Sequence, residues 1–198
     1  MRNFGTQKEK MMPNWNENIV EIHGTREDID TFMELAESNE AKEFRMDSVI
    51  PEPKKENGEP SENWYGWRSD HWGCKWDVNE VQRNDSTSRK DKVDRHYTEL
   101  SYNTPWCPNI EFFVSASKMF PELYFQISYC EMGMYFIGFA YIKNGEIVLE
   151  DHIDNPPHQE MFALLEQYGF YWNTHFVREL IEEEEEEESE ETTDFMVV

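Results

Sequence analysis

The spacing of apolar residues changes along the chain. Spacing of two residues predicts a strand, and spacing of three to four residues predicts a helix. Residues 19–22 alternate within a β-branched run, which predicts a strand. Thr25 follows as a candidate N-cap, with Asp28 three positions later, as in a capping box. Apolar residues at helical spacing then predict an amphipathic helix from about Arg26 to Ser38.

Similar patterns predict the rest of the chain. Asn144-Gly145 is the strongest turn signal and indicates a hairpin. Residues 79–97 are polar and charged, which favours a long loop. The other expected elements are strands over 43–50, 99–103, 123–129, 134–143 and 147–149, and helices over 110–120, 158–168 and 172–181.

This order, β-α-β, an excursion and then β-α-β-β, predicts an α+β protein. We expect a ferredoxin-like (split βαβ) antiparallel sheet with two packed helices, a Trp-rich helical insertion and a C-terminal helical extension. The expected organisation is a disordered extension over 1–12, a ferredoxin-like domain over 13–155 with the insertion at about 54–97, a helical extension over 156–181 and a disordered acidic tail over 182–198.

The charge narrows the choice of partners. The 198 residues carry a net charge of −24, from 42 acidic and 18 basic side chains. Ten acids lie in the tail, which leaves 32 acids against 18 bases, a net charge of −14, for the rest. Such a chain repels phosphate, which disfavours direct nucleic-acid binding and favours a protein with a basic groove. The candidate partner-binding acids are Glu182, Glu183, Glu184, Glu185, Glu186, Glu187, Glu188, Glu190, Glu191 and Asp194.

The cysteines and the hydropathy of the chain indicate the cellular compartment in which the protein is expected. Cys74, Cys107 and Cys130 are too few and too scattered for a disulfide framework, so we expect reduced thiols. The N-terminus has no apolar signal-peptide region, and no stretch has the length of a transmembrane helix. The expectation is a cytoplasmic protein without a membrane partner. The oligomeric state is not predicted.

The segment 64–77 is rich in tryptophan and holds two cations. It can form an aromatic platform that stacks bases or binds an anionic ligand. Alternatively, its tryptophans pack the core and its cations pair with Asp70 or Asp77. The candidate ligand-binding residues are Trp64, Trp67, Arg68, Trp72, Lys75, Trp76 and Asp77.

The sequence contains few residues in patterns typical of catalytic or metal-binding sites. The chain has no G-x-S-x-G, no P-loop, no G-x-G-x-x-G and no H-E-x-x-H motif. His152 with Asp151 and Asp154 is the nearest approach to a metal cluster, and a solvated turn explains it better. Cys74, near cationic residues, is either a thiol of lowered pKa or a packed core residue, and we favour the second. We expect no enzyme activity, no metal and no cofactor.

Five motifs, in order, resemble the YubB-like family of phage and plasmid proteins, over roughly residues 12–150. The resemblance implies a ferredoxin-like fold and a mobile-element origin, with no established activity. The residues before Met12, the stretch 79–97 and everything after about 155 depart from the family pattern. The motifs are Met12-Pro-Asn-Trp-Asn-Glu-Asn18, Trp64-Tyr-Gly-Trp-Arg68 with Trp72-Gly-Cys-Lys-Trp-Asp77, Thr104-Pro-Trp-Cys-Pro108, Phe120-Pro-Glu-Leu123 and Glu131-Met-Gly133.

Three functional hypotheses follow. The first is an acidic inhibitor or nucleic-acid-mimicking decoy that occupies the basic groove of a host nucleic-acid-binding or defence protein. The second is a module that binds single-stranded nucleic acid, a nucleotide or a small ligand through the Trp-rich segment. The third is an unrecognised enzyme or a protein that sequesters a small ligand. The absence of catalytic motifs and the acidity favour the first.

Overall fold

The structure, a computed structural model, describes residues 14–78, 80–90 and 93–195. Six strands form one sheet in the order β2-β3-β1-β4-β5-β6, and every neighbouring pair is antiparallel. The predicted disordered extension over 1–12, and the predicted start of the folded domain at Pro13, lie outside the described residues. The strands are β1 (Trp15–Gly24), β2 (Gln82–Lys90), β3 (Val93–Pro105), β4 (Tyr124–Glu131), β5 (Phe136–Lys143) and β6 (Glu146–Asp154).

The helices begin and end at local signals. Thr25 caps the first helix by accepting the N–H of Asp28 at 3.1 Å, and Gly169, with φ of 88°, ends the fifth. A 3₁₀ turn, Tyr171–Asn173, precedes the last helix. The helices are α1 (Arg26–Ala36), α2 (Met46–Val49), α3 (Trp64–Trp72), α4 (Ile110–Met119), α5 (His158–Tyr168) and α6 (Thr174–Phe195).

The first four strands and two of the helices form the ferredoxin-like unit. The chain order β1-α1-β2-β3-α4-β4 gives the strand order β2-β3-β1-β4, which is a split βαβ arrangement. The hairpin β5-β6, joined at Asn144-Gly145 with positive φ at both residues, extends the sheet beyond β4. The prediction of an α+β ferredoxin-like protein is confirmed.

Each face of the sheet carries a hydrophobic cluster. On one face, Val20 and Ile22 of β1 pack with α1 and α4 in the main core, which includes Phe32 and Phe113. On the other face, α5 and α6 pack a smaller cluster over β4 and β5, formed by Cys130, Ile137, Met161, Leu165, Phe170 and Val177. Because α5 and α6 cover only this side, no helix of the described residues lies above the part of that face over β1 and β3.

Two predictions between α1 and β3 are wrong. Residues 43–50 were expected to be a strand, and they contain the short helix α2. Residues 79–97 were expected to be a loop, and they contain β2 and the start of β3. The polar strand β2 lies at the edge of the sheet and is held by backbone hydrogen bonds to β3. An edge strand of this kind has little apolar alternation by which a sequence pattern can be recognised.

The acidic tail also differs from the expectation. Where we predicted disorder from Glu182 onward, α6 continues from Thr174 to Phe195, so the short helix expected over 172–181 is much longer. Buried Val177 fixes the start of α6, and elongation of an existing helix costs far less than nucleation. Glutamate also has a high helix propensity. Residues 196–198 lie outside the described residues.

Candidate functional site

The Trp-rich segment forms helix α3 and the stretch that follows it. Gly73, with φ of 75°, ends α3, and its N–H donates to the carbonyl of Arg68 at 3.1 Å. This reversal directs residues 74–77 back along α3. The seven predicted ligand-binding residues are therefore near one another, but their side chains divide into buried anchors and a small exposed group.

Trp72 is a core residue. Its side chain is 1 % exposed, and its indole Nε1 donates a hydrogen bond of 3.0 Å to the carbonyl of Ile50. Trp67 packs edge-to-face against it, with ring centroids 5.5 Å apart, and stacks on His71 at 4.4 Å. These two tryptophans therefore stabilise the position of α3 on the domain.

Arg68 is bound within the protein. Its guanidinium donates to both carboxylate oxygens of Glu52, at 3.1 and 2.7 Å, and to the carbonyl of Lys75 at 3.0 Å. The same group lies over the rings of Trp64 and Trp72, 5.0 and 5.2 Å from their centroids. The cation does pair with a carboxylate, but the partner is Glu52 and not Asp70 or Asp77, as the sequence had suggested.

Asp77 caps helix α2. Its carboxylate accepts the backbone N–H groups of Met46 at 2.8 Å, Asp47 at 3.1 Å and Val78 at 2.8 Å. Burial raises the pKa of Asp77, and the three N–H donors act in the opposite direction. The interaction explains why residues 46–49 turn into a helix and shows a structural use for Asp77.

An exposed aromatic corner remains at the end of the segment. Trp76 is 37 % exposed, and its ring centroid lies 5.6 Å from that of Trp106. The ammonium of Lys75 lies 4.8 and 5.3 Å from the two centroids. This corner is much smaller than the four-tryptophan platform considered from the sequence.

Cys74 packs in the core, as the favoured interpretation proposed. Its side chain is buried, and its thiol donates to the carbonyl of Trp76 at 3.2 Å. Burial raises the pKa of the Cys74 thiol far above its ordinary value, which opposes the reactive thiolate that was the alternative. All three cysteines are free thiols.

The predicted partner-binding acids lie on α6. Glu182 to Glu187 are all exposed, and the carboxylate of Glu184 lies 3.0 Å from His158 on α5. Residues 188, 190, 191 and 194 follow on the same helix. The helical presentation of this charge is the feature that the sequence interpretation missed.

A groove over the uncovered sheet face was not predicted from the sequence. It consists of two adjoining cavities of about 580 and 370 Å³, which share Ser101 and Trp172. Glu17, Glu21 and Glu99 line it. The sequence signal, two acids four positions apart on one face of β1, is also typical of a solvated strand face, so by itself it did not indicate a groove.

Glu21 and Glu99 are directly opposite in the β1–β3 pairing. Burial raises the pKa of Glu99, and the charge of Glu21 raises it further. The Glu21 carboxylate has a partner, since it lies 2.8 Å from the ring of His23. Like charges at directly opposed positions destabilise a sheet, so this pairing works against folding.

The Glu99→Gln variant is expected to be more stable at pH 7, by about 0.5 kcal/mol. The folded-state pKa of Glu99 is raised above its ordinary value of 4.5, so the folded chain binds this proton more tightly than the unfolded chain does. The destabilising effect of Glu99 therefore appears as the pH rises through 4.5 and the folded-state pKa. Urea unfolding should show the gain at pH 7 and lose it at pH 3.

Glu122→Gln, at an exposed loop position, is the control for the same change in net charge. An equal gain from Glu122→Gln would attribute the effect to overall charge and contradict the role of the Glu21–Glu99 pair.

Within the described residues, no group of three or more His, Cys, Asp or Glu side chains is arranged to hold a metal ion. His152 instead hydrogen-bonds Tyr129 at 3.1 Å and Asp154 at 3.2 Å. None of the helices in the described ranges is both long and apolar enough to cross a membrane.

Comparisons with known proteins give a family and one weakly similar solved structure. A family model described as a ferredoxin-like domain in Api92-like proteins matches residues 75–198. The crystal structure of protein Api92 from Yersinia pseudotuberculosis aligns with 18% identity and a TM-score of 0.33, over 47% of this chain. That alignment spans 31% of the Yersinia chain, less than a third of its length. No curated protein matches this chain.

Proposed function

The chain belongs to the family of Api92-like proteins with a ferredoxin-like domain, and from this premise we propose that it is an acidic decoy that occupies the basic groove of a nucleic-acid-binding protein. In this proposal helix α6 provides the main contact surface. The protein acts by binding, and its partner is a protein with a basic surface.

The observation that carries the proposal is the charge density of α6. Six consecutive glutamates, 182–187, are exposed on a helix whose rise is about 1.5 Å per residue. Double-stranded DNA carries one negative charge per about 1.7 Å of its axis. A protein that binds DNA through its phosphates therefore encounters on α6 a similar linear density of negative charge.

The helical state of this segment favours binding further. A preformed helix loses less conformational entropy on association than a disordered polyanion does. Buried Val177 anchors the start of α6, and His158 lies beside Glu184. The remaining net charge of −14 on the rest of the chain would add long-range attraction to a basic partner.

The likeness to the YubB-like family leads to a more specific version of the proposal. In this version the protein is encoded by a phage or plasmid and acts in the cytoplasm of the bacterial host. Its partner is then a host nucleic-acid-binding or defence protein, which it inhibits by competition with nucleic acid.

The test is capture followed by competition. The immobilised chain should retain basic nucleic-acid-binding proteins from a bacterial lysate, and duplex DNA should elute them. Because the contact is electrostatic, raising salt from about 50 to 200 mM should reduce capture at least about tenfold. A variant with Gln at 182–188 should lose most of the capture.

A matched variant controls for net charge. It replaces seven exposed glutamates elsewhere and should retain capture. If both variants lose capture equally, or if DNA elutes nothing, the decoy proposal is wrong. The control positions are Glu34, Glu40, Glu56, Glu62, Glu122, Glu160 and Glu166.

A further inference from the structure

The open face of the sheet forms a groove with defined strand register. On β1, Glu17 and Glu21 point away from the core side, which buries Val20 and Ile22. The β1–β3 pairing places Glu17 opposite Asn103 and Glu21 opposite Glu99. The α5–α6 side covers the neighbouring strands β4 and β5, so the groove runs along the boundary between covered and uncovered sheet.

Exposed aromatic side chains border this groove. Trp15 and Trp172 line the larger cavity, and Tyr171 and Trp172 line the smaller one. The exposed fractions are 44 % for Trp15, 65 % for Tyr171 and 57 % for Trp172. Exposed aromatic faces beside carboxylates are the combination that binds ammonium and guanidinium groups.

The charge of the groove is negative. Glu21 and Glu99 line the smaller cavity, and Glu17 and Glu80 line the larger one. Among the lining residues that the structure describes, none is a lysine or arginine. Glu17 accepts hydrogen bonds from Trp172 and from Asn173, so it is held in place by neutral donors.

The Glu21–Glu99 pair is the most specific feature of the groove. Two carboxylates at directly opposed positions repel each other, and within the described residues Glu21 lies 2.8 Å from the ring of His23. A cation placed between the carboxylates would remove the repulsion. Its binding would then stabilise the folded protein.

We infer that this groove binds a basic peptide segment of a partner protein, with one arginine or lysine side chain held between Glu21 and Glu99 and beside Trp172. An extended segment fits because the two cavities adjoin at Ser101 and Trp172 and continue across the sheet. The neutral groups of Gln82, Asn103 and Gln126 can hydrogen-bond its backbone. The inference goes beyond the proposed function, because it concerns the sheet groove and not α6.

The test uses a labelled hexaarginine peptide and fluorescence anisotropy on the full-length chain. Because α6 is itself a polyanion, the titration is made on wild type and on the variant with Gln at 182–188. The variant with Gln at 182–188 should retain saturable, one-to-one binding of hexaarginine. If it has no saturable site, the inference about the groove is wrong, whatever the result of the DNA-competition experiment.

Substitutions in the groove locate the site. In the background with Gln at 182–188, the pair Glu21→Gln and Glu99→Gln should weaken hexaarginine binding about tenfold. The control pair, Glu34→Gln and Glu122→Gln, makes the same change in net charge at exposed positions outside the groove, and binding should stay within about twofold. Equal weakening by both pairs would show general charge attraction and overturn the inference.

The double variant Glu21→Gln and Glu99→Gln should remain folded. Because it removes a repulsion, the variant should be at least as stable as its parent, so lost binding cannot be attributed to unfolding. A titration with a single-stranded oligonucleotide completes the design. Tighter binding of the oligonucleotide than of hexaarginine would identify the groove as a nucleic-acid site and contradict the inference.

Discussion

The Trp72→Ala variant is expected to lose about 4 kcal/mol of its free energy of unfolding. Trp72 is among the largest fully buried side chains, and its removal leaves a cavity between α3 and the main core. It also leaves the carbonyl of Ile50 without its indole donor. Arg68, whose guanidinium lies 5.2 Å from the Trp72 ring, loses one of its two aromatic neighbours. Urea unfolding followed by circular dichroism measures the loss.

Tyr65→Ala is the control on the same helix. Tyr65 is exposed, and its ring packs edge-to-face on Trp64 with centroids 5.7 Å apart. Because alanine is the best helix former and little burial is lost, the change in unfolding free energy should stay within about 0.5 kcal/mol. Similar losses from both variants would mean that Trp72 does not anchor α3 to the core.

The second large effect is expected from Arg68→Met, which should lose about 3 kcal/mol of unfolding free energy. The Glu52 side chain is 3 % exposed and receives both of its close cationic contacts from Arg68. Without Arg68 its charge is buried without compensation. The carbonyl of Lys75 loses a donor as well. Chemical denaturation at pH 7 gives the magnitude.

A second substitution distinguishes the effect of the unpaired Glu52 charge from the effect of lost packing around Arg68. Adding Glu52→Leu to Arg68→Met should recover much of the loss, because no buried charge remains. Lys54→Met removes the exposed pair with Asp47, at 3.1 Å, and should cost less than about 1 kcal/mol. If the double variant is no more stable than Arg68→Met, the ion pair does not explain the loss.

These contacts show that much of the Trp-rich segment, residues 64–77, has a structural role. Trp72, Arg68 and Asp77 each satisfy a group elsewhere in the domain, namely the Ile50 carbonyl, the Glu52 carboxylate and the start of α2. These side chains therefore have structural roles within the domain. Among the described residues, α6, the sheet groove and the Trp76 corner offer exposed surface, and ligand binding by the segment stays a prediction.

Local signals predicted the helices well. Thr25 caps α1, Gly169 ends α5, and the Asn144-Gly145 hairpin lies between β5 and β6, because these features depend on residues a few positions apart. Long-range pairing explains the failures. The edge strand β2 is defined by its hydrogen bonds to β3, and α2 is capped by Asp77, about 30 residues away.

The sequence by itself determined the α+β class, the position of most helices, the acidity and the concentration of tryptophan at 64–77. These follow from composition and local periodicity. Only the tertiary structure decided that Trp72 is core and that Arg68 pairs with Glu52. It also decided that Glu21 faces Glu99 across two strands far apart in the chain. The physical reason is that strand register and burial are settled by cooperative packing of distant segments, which no local pattern contains.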